Sequence, residues 1–168
     1  MKRSIYAEQR VGIFVDIQNL YYSAKHLYKK KVNFKAVLNE AVNGRTLIRA
    51  IAYVVRADEL KENTFFEALH NIGFDVKSKD LQIFPGGMKK GDWDVGIAVD
   101  AIQMSQKLDV VVLVSGDGDY VPLVEYLKWS QGCRVEVLAF GRSASSKLKE
   151  AVDEFLDLDK NRKYLMVE

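Results

Sequence analysis

One cysteine, Cys133, and two prolines, Pro85 and Pro122, stand among 168 residues. A lone thiol excludes an intramolecular disulfide framework and any zinc site built from several cysteines. It suits a reducing compartment. So few prolines leave no Pro-rich linker, and neither an internal repeat nor a low-complexity tract breaks the chain. No apolar run approaches the ~20 residues that a bilayer span needs. The amino-terminal MKRSIYAEQR carries basic residues without an apolar stretch behind them, so a soluble, cytoplasmic protein is expected. Charge of one sign is not in excess either: Lys and Arg number 25 against 23 Asp and Glu, a formal net charge of +2. That balance permits a nucleic-acid partner without arguing for one.

Several catalytic signatures are missing too. No G-x-x-x-x-G-K-[ST] occurs, which leaves P-loop nucleotide hydrolysis unsupported, and G-x-G-x-x-G fails at Val121. No G-x-S-x-G elbow is present for an α/β-hydrolase. A phosphatase with an aspartyl nucleophile needs a second Asp two residues after the first, and Gln18 stands where Asp16 would need it.

What is present is an alternation of apolar runs and helical periodicity. Val11–Val15, Thr46–Val55, Val110–Val114 and Arg134–Ala139 read as strands, and 74–79 (FDVKSK) as a strand near an edge. Helices are predicted over about 19–31, 34–42, 58–71, 94–106, 120–130 and 145–155, the fourth with Val95, Ala98, Val99 and Ile102 on its inner face. Ile83-Phe84 before Pro85-Gly86-Gly87 reads as a short hairpin arm. Runs that are apolar throughout indicate a parallel sheet covered on both faces, hence a single α/β domain over 1–168. In such sheets ligands bind beyond the carboxyl ends of the strands, where the strand order reverses.

Aspartates stand at those ends. The first strand closes with DIQN (Asp16, Asn19), the strand at 110–114 with SGDGD (Asp117, Asp119), and KKGDWD (Lys89, Lys90, Asp92, Asp94) precedes the helix at 94. An aspartate beside a core needs a partner. If the strands at 11 and 110 are neighbours, several carboxylates converge, and oxygen-only donors of this kind suit hard cations such as Mg²⁺ or Mn²⁺. Gly116 and Gly118 are expected to permit a sharp turn that leaves the aspartates uncovered. Asp100 lies about 120° round the helix from Asp94, so it ranks below the others.

Plainer roles compete with these. Asp-Gly after a strand is an ordinary turn, while Asp92, Asp94 and Asn19 each suit helix caps. Lys29–Lys31 reads as a solvated helix end, His26 and His70 as surface or core residues, and Tyr21, Tyr22 and Tyr28 as core rather than a base-stacking platform. Coincidence favours the acidic site, because three separate segments bring Asp to the ends that the topology gathers.

The segments FVDIQNLYYSA, KKGDWDVGIAVDA, VLVSGDGDYVPLV and GCRVEVLAFG, in this order, resemble the LabA-like branch of the NYN domain family, within the PIN-like nuclease superfamily. The resemblance spans about residues 10–158. It implies a PIN-like Rossmannoid three-layer sandwich with a mainly parallel sheet and RNA cleavage dependent on Mg²⁺ or Mn²⁺. By position, Asp16, Asp94, Asp117 and Asp119 match the family's acidic residues, Asn19 its asparagine, Asp100 the second acid of the central helix and Lys90 its frequent lysine. KGDWD is one residue longer than the family's KGxD spacing, and the following VGIAVDA favours Asp94 over Asp92.

The combined expectation is an endoribonuclease with one or two ions held by Asp16, Asp94, Asp117 and Asp119. Asn19 and Ser115 would orient ligands or water. Lys90, Lys89 and Lys29–Lys31 (Lys29, Lys30, Lys31) would hold the backbone of single-stranded RNA. Two alternatives stay beside it. One is a non-cutting regulatory module that binds RNA or protein, for which a homodimer through a sheet edge is suited. The other is a metal-dependent phosphatase or nucleotidase.

Overall fold

The computed structural model describes residues 6–56 and 59–167, with the side chains of 59–61, 89 and 90 outside that description. The chain runs β1 (Arg10–Asp16), α1 (Ile17–Tyr28), α2 (Phe34–Val42), β2 (Thr46–Arg56), α3 (Glu59–Ile72) and β3 (Asp75–Asp80). A hairpin of β4 (Gln82–Ile83) and β5 (Lys89–Lys90) leads to α4 (Asp94–Met104). Then follow β6 (Val110–Val114), α5 (Val121–Trp129), β7 (Arg134–Ala139), α6 (Ser146–Ala151) and β8 (Glu154–Asp157). Six strands form one sheet in the order β3-β2-β1-β6-β7-β8, every neighbouring pair parallel. It is an α/β fold of three layers, a parallel sheet with helices on both faces, as expected.

The all-apolar strands are explained by burial from both sides. Along β1, Val11, Ile13 and Val15 face one core with Leu20 of α1, Val37 of α2 and Leu69 of α3. Phe14 faces the other, with Ile97 of α4, Val124 and Leu127 of α5. Residues of β6 alternate in the same way: Val110, Val112 and Val114 to the first core, Val111 and Leu113 to the second. A buried ion pair fastens the turn after α2 to the sheet, since the Arg45 guanidinium donates to both carboxylate oxygens of Glu136 on β7 at 2.9 and 2.8 Å and also to the Ala41 and Val42 carbonyls of α2. No helix among the described residues is long and apolar enough to cross a membrane.

Two expectations need correction. The inner face of α4 is Ile97 and Ala101, whereas Val95, Val99 and Ile102 are exposed and Ala98 is half-buried. Ile97, Ala101 and Met104 recur at the same helical spacing as the predicted set, so the sequence offers two apolar faces. Trp93 accompanies the choice between them: its indole N–H donates to the Val54 carbonyl at 2.9 Å, and its ring packs on Tyr53 of β2. The last helix is also shorter than expected. Beyond Ala151 the chain turns, and 154–157 pairs in parallel with β7 as a sixth strand, the first two residues of which fall within the predicted helix.

Candidate active site

The chain reverses direction across the sheet between β1 and β6, where a parallel sheet opens a crevice at its carboxyl edge. Asp16 is both the last residue of β1 and the N-cap of α1, its Oδ1 accepting from the Asn19 N–H at 3.2 Å. The hydroxyl of Ser115, next after β6, donates to Asp16 Oδ2 at 3.2 Å and accepts from the Asp117 N–H. Asn19 does not cap α1. Its side-chain oxygen accepts from the Gly116 N–H at 2.9 Å and ties α1 to the loop after β6.

That loop is shaped by close packing rather than by an unusual turn. Neither Gly116 nor Gly118 has positive φ. A Cβ on Gly116 would lie 2.9 Å from the Ala144 Cα, and one on Gly118 would lie 2.7 Å from Ser145 Oγ. Glycine lets the loop lie against residues 144–145, whose Ser145 N–H donates back to the Gly116 carbonyl. Asp117 then turns its Oδ1 to the Asp119 N–H at 2.9 Å, which fixes the two aspartates relative to each other.

Asp94 arrives from the other side of the crevice, at the first position of α4. Asp92 is the residue that serves the helix start, accepting from the Asp94 N–H at 3.3 Å. The Asp94 carboxylate is therefore left to the crevice. One oxygen each of Asp94, Asp117 and Asp119 lie within 4.8 Å of one another. Asp16 joins this group through Tyr120, whose buried hydroxyl lies 3.3 Å from Asp16 Oδ2 and 3.1 Å from Asp94 Oδ1. Tyr120 is the site residue that sequence reasoning missed. An aromatic at the start of an amphipathic helix reads as core, and this one is core as well.

The electrostatics follow from the crowding. Burial, and then the neighbouring Asp117 charge, push the Asp94 carboxyl up to about 6. Burial also raises Asp16, against the hydrogen bonds from Asn19, Ser115 and Tyr120 that favour its ionised form. Burial and the surrounding carboxylates hold the Tyr120 phenol protonated. Carboxylates that repel one another and offer only oxygen fit a hard divalent cation, whose charge would remove the repulsion.

Other expected residues lie elsewhere. Asp100 points to the β2–β3 flank, where its Oδ2 accepts from Tyr53 OH at 2.8 Å and Lys77 Nζ at 2.7 Å. Lys29 is the left-handed C-cap of α1, with Lys30 and Lys31 just beyond it. The 12 residues of α1 place this end roughly 18 Å along the helix from Asp16. Lys89 and Lys90 form β5, and their side chains lie outside the described residues. His26 and His70 are exposed. Tyr28 is half-buried and its hydroxyl donates to Asp159. Tyr21 and Tyr22 are exposed rather than core.

Comparison with known proteins bears on the family and the fold. The family model for the NYN domain matches residues 10–159. The low amplitude and bright protein LabA of Synechococcus elongatus is 27% identical, over 93% of this chain and 87% of that protein. Among solved structures, a protein of unknown function from Vibrio parahaemolyticus superposes with a TM-score of 0.88 at 31% identity, covering 99% of this chain and all of that one. The T5 D15 protein, co-crystallised with metal ions, shares the fold at a TM-score of 0.50 and 15% identity, over 84% of this chain and 59% of that protein.

Proposed function

This chain belongs to the NYN domain family, and from that membership we propose that it is a single-domain, metal-dependent nuclease that hydrolyses phosphodiester bonds of RNA, single-stranded RNA first of all. The observation that carries the proposal is the convergence of Asp94, Asp117 and Asp119 within 4.8 Å, from two separate segments at the β1–β6 crevice. A packed domain gains nothing in stability from three such carboxylates left facing one another.

In this reading Asp94, Asp117 and Asp119 hold Mg²⁺ or Mn²⁺, with Asp16 the fourth acid of the site. A bound divalent ion would supply Lewis acidity toward a phosphate oxygen and ready a water for attack. The remaining work belongs to the chain. Asp16, fixed by the Asn19 N–H and Ser115, keeps its carboxylate aimed at the crevice. Tyr120 holds Asp16 and Asp94 at a set separation, and Asn19 holds the Gly116–Asp119 loop against α1. Lys29–Lys31, Lys89 and Lys90 draw in the phosphate backbone by charge. A cytoplasmic location accords with the single thiol, Cys133.

A second reading, a regulatory module that binds without cutting, is favoured by one feature. Val95, Val99 and Ile102 form an exposed apolar stripe on α4, and such stripes mark contacts between proteins, a homodimer among them. A cleavage time course decides between the readings. Wild type should cut single-stranded RNA in Mg²⁺ or Mn²⁺ but not in EDTA, and Asp94→Asn and Asp16→Asn should both be inactive. Equal cutting by wild type and Asp16→Asn would expose a contaminating nuclease and remove the catalytic assignment. RNA binding with no cleavage in either ion would establish the module.

A further inference from the structure

The helix that leaves the acidic crevice presents two aromatic rings that none of the chemistry above uses. Tyr21 and Tyr22 of α1 are 41% and 58% exposed. Their rings rest on each other edge to face, with centroids 5.5 Å apart and planes at 77°. The helix cannot turn them inward. Ile17, Leu20 and Ala24 occupy its buried face, and Leu20 and Ala24 have no exposed surface at all. Two large rings are thus held in water on a rigid helix that begins at Asp16.

Charge along the same helix is of one sign. From Ile17 to Tyr28 there is no Asp or Glu, while Lys25 and His26 stand in the last turn and Lys29 caps it. Lys25 Nζ lies 5.7 Å from the centre of the Tyr21 ring. Tyr21 and Tyr22 are five and six residues beyond Asp16, so roughly 8 to 9 Å along the axis separates them from the crevice. Lys25 and Lys29 follow farther out. Rings close to the acidic crevice and cations beyond them are the two components by which proteins bind single strands without reading sequence, bases stacking on the rings and phosphates meeting the cations.

We infer that the exposed ridge of α1 is a base-stacking track for single-stranded nucleic acid, with Tyr21 and Tyr22 receiving unstacked bases next to the bond at the acidic crevice and Lys25 and Lys29 meeting the phosphates that follow. The inference rests on the nuclease reading for its ligand and extends it to how the strand is held. Sequence preference at the track is weak, because every base has a face to stack. Duplex RNA, whose bases are already stacked, is excluded from it.

Binding to a short phosphorothioate-linked oligonucleotide, which resists cleavage, tests the track by fluorescence anisotropy in Mg²⁺ at fixed salt. A matched strand with abasic sites in place of bases serves as control. Replacing both tyrosines by alanine should weaken binding of the normal strand by about 30-fold or more, since each of two stacked bases is worth about 5-fold or more. The abasic strand should bind wild type and variant alike. Tyr21→Phe with Tyr22→Phe should keep wild-type affinity, because a phenyl ring stacks as well as a phenol. The Mn²⁺-induced rise in melting temperature should be the same in all three proteins. Equal loss for both strands, or no loss for either, overturns the track. If wild type cuts RNA while the alanine variant binds it undiminished, the track alone falls and the nuclease stands. If wild type binds neither strand and cuts nothing, both fall. If the alanine pair leaves RNA affinity intact but changes the sedimenting species, the ridge is a protein contact instead.

Discussion

Replacing Asp94 by asparagine should make the metal-free protein more stable at alkaline pH, although the residue is conceived as part of the working site. The wild-type carboxyl titrates near 6, raised from an ordinary value of 3.8 by burial and by the charge of Asp117. A gap of about two pKa units corresponds to about 3 kcal/mol at ~1.4 kcal/mol per unit. Asp94 is partly exposed, and solvent screening reduces this to ~1.5 kcal/mol. A carboxyl raised in the fold favours folding fully while protonated in both states. That stability is present below about pH 4 and is lost as pH rises to and through 6. Above pH 7 the metal-free wild type therefore bears the whole cost. Asparagine removes the charge and keeps an oxygen to accept from Tyr120. The expected outcome in EDTA at pH 8 is a melting temperature higher by roughly 3–6 °C for Asp94→Asn, at ~2–4 °C per kcal/mol for a chain of this size. Near pH 4 the two proteins should melt together. Mn²⁺ should stabilise wild type and leave the variant where it was. A lower melting temperature for Asp94→Asn in EDTA at pH 8 would refute the reasoning, since it would show the carboxylate to be held by favourable local contacts.

Other perturbations address the rest of the site. Tyr120→Phe removes the hydroxyl shared by Asp16 and Asp94 and should cost about tenfold or more in Mn²⁺ affinity by calorimetry; unchanged affinity would make Tyr120 a core residue only. Gly116→Ala places a Cβ 2.9 Å from the Ala144 backbone and should destabilise the fold by ~1–3 kcal/mol in urea, whereas a neutral result would show the loop free to move away. Replacing Lys29, Lys30 and Lys31 together by alanine should reduce the salt slope of single-stranded RNA binding by about two, with turnover at saturating substrate nearly unchanged. An unaltered slope would remove these lysines from the contact.

The sheet was legible because β1, β2, β6 and β7 must be apolar on both faces, a demand that leaves few other readings of VGIFV or VVVLV. β8 was not, since Glu154 and Asp157 give an edge strand the polarity of a helix end. The register of α4 was ambiguous in principle, because two apolar faces satisfy the same periodicity. The orientation of Trp93 over Tyr53 is a tertiary fact that no local pattern carries. At the site, the acids were legible from their positions at strand ends. Their division of labour was not: Asp92 serves the start of α4, Asp100 is taken up by Lys77 and Tyr53, and Asp94 faces the crevice. Tyr120 escaped notice because a buried ring and a site hydroxyl belong to the same side chain. The exposure of Tyr21 and Tyr22 was hidden by the rule that adjacent aromatics on an amphipathic helix belong to the core.

The central claim is that this crevice holds a divalent cation, and anomalous diffraction from crystals soaked in Mn²⁺ tests it most directly. The predicted result is a peak at coordination distance, about 2.0–2.4 Å, from carboxylate oxygens of Asp94, Asp117 and Asp119 in wild type, absent in Asp94→Asn. A peak elsewhere on the molecule, or none in the wild-type crevice, would contradict the account.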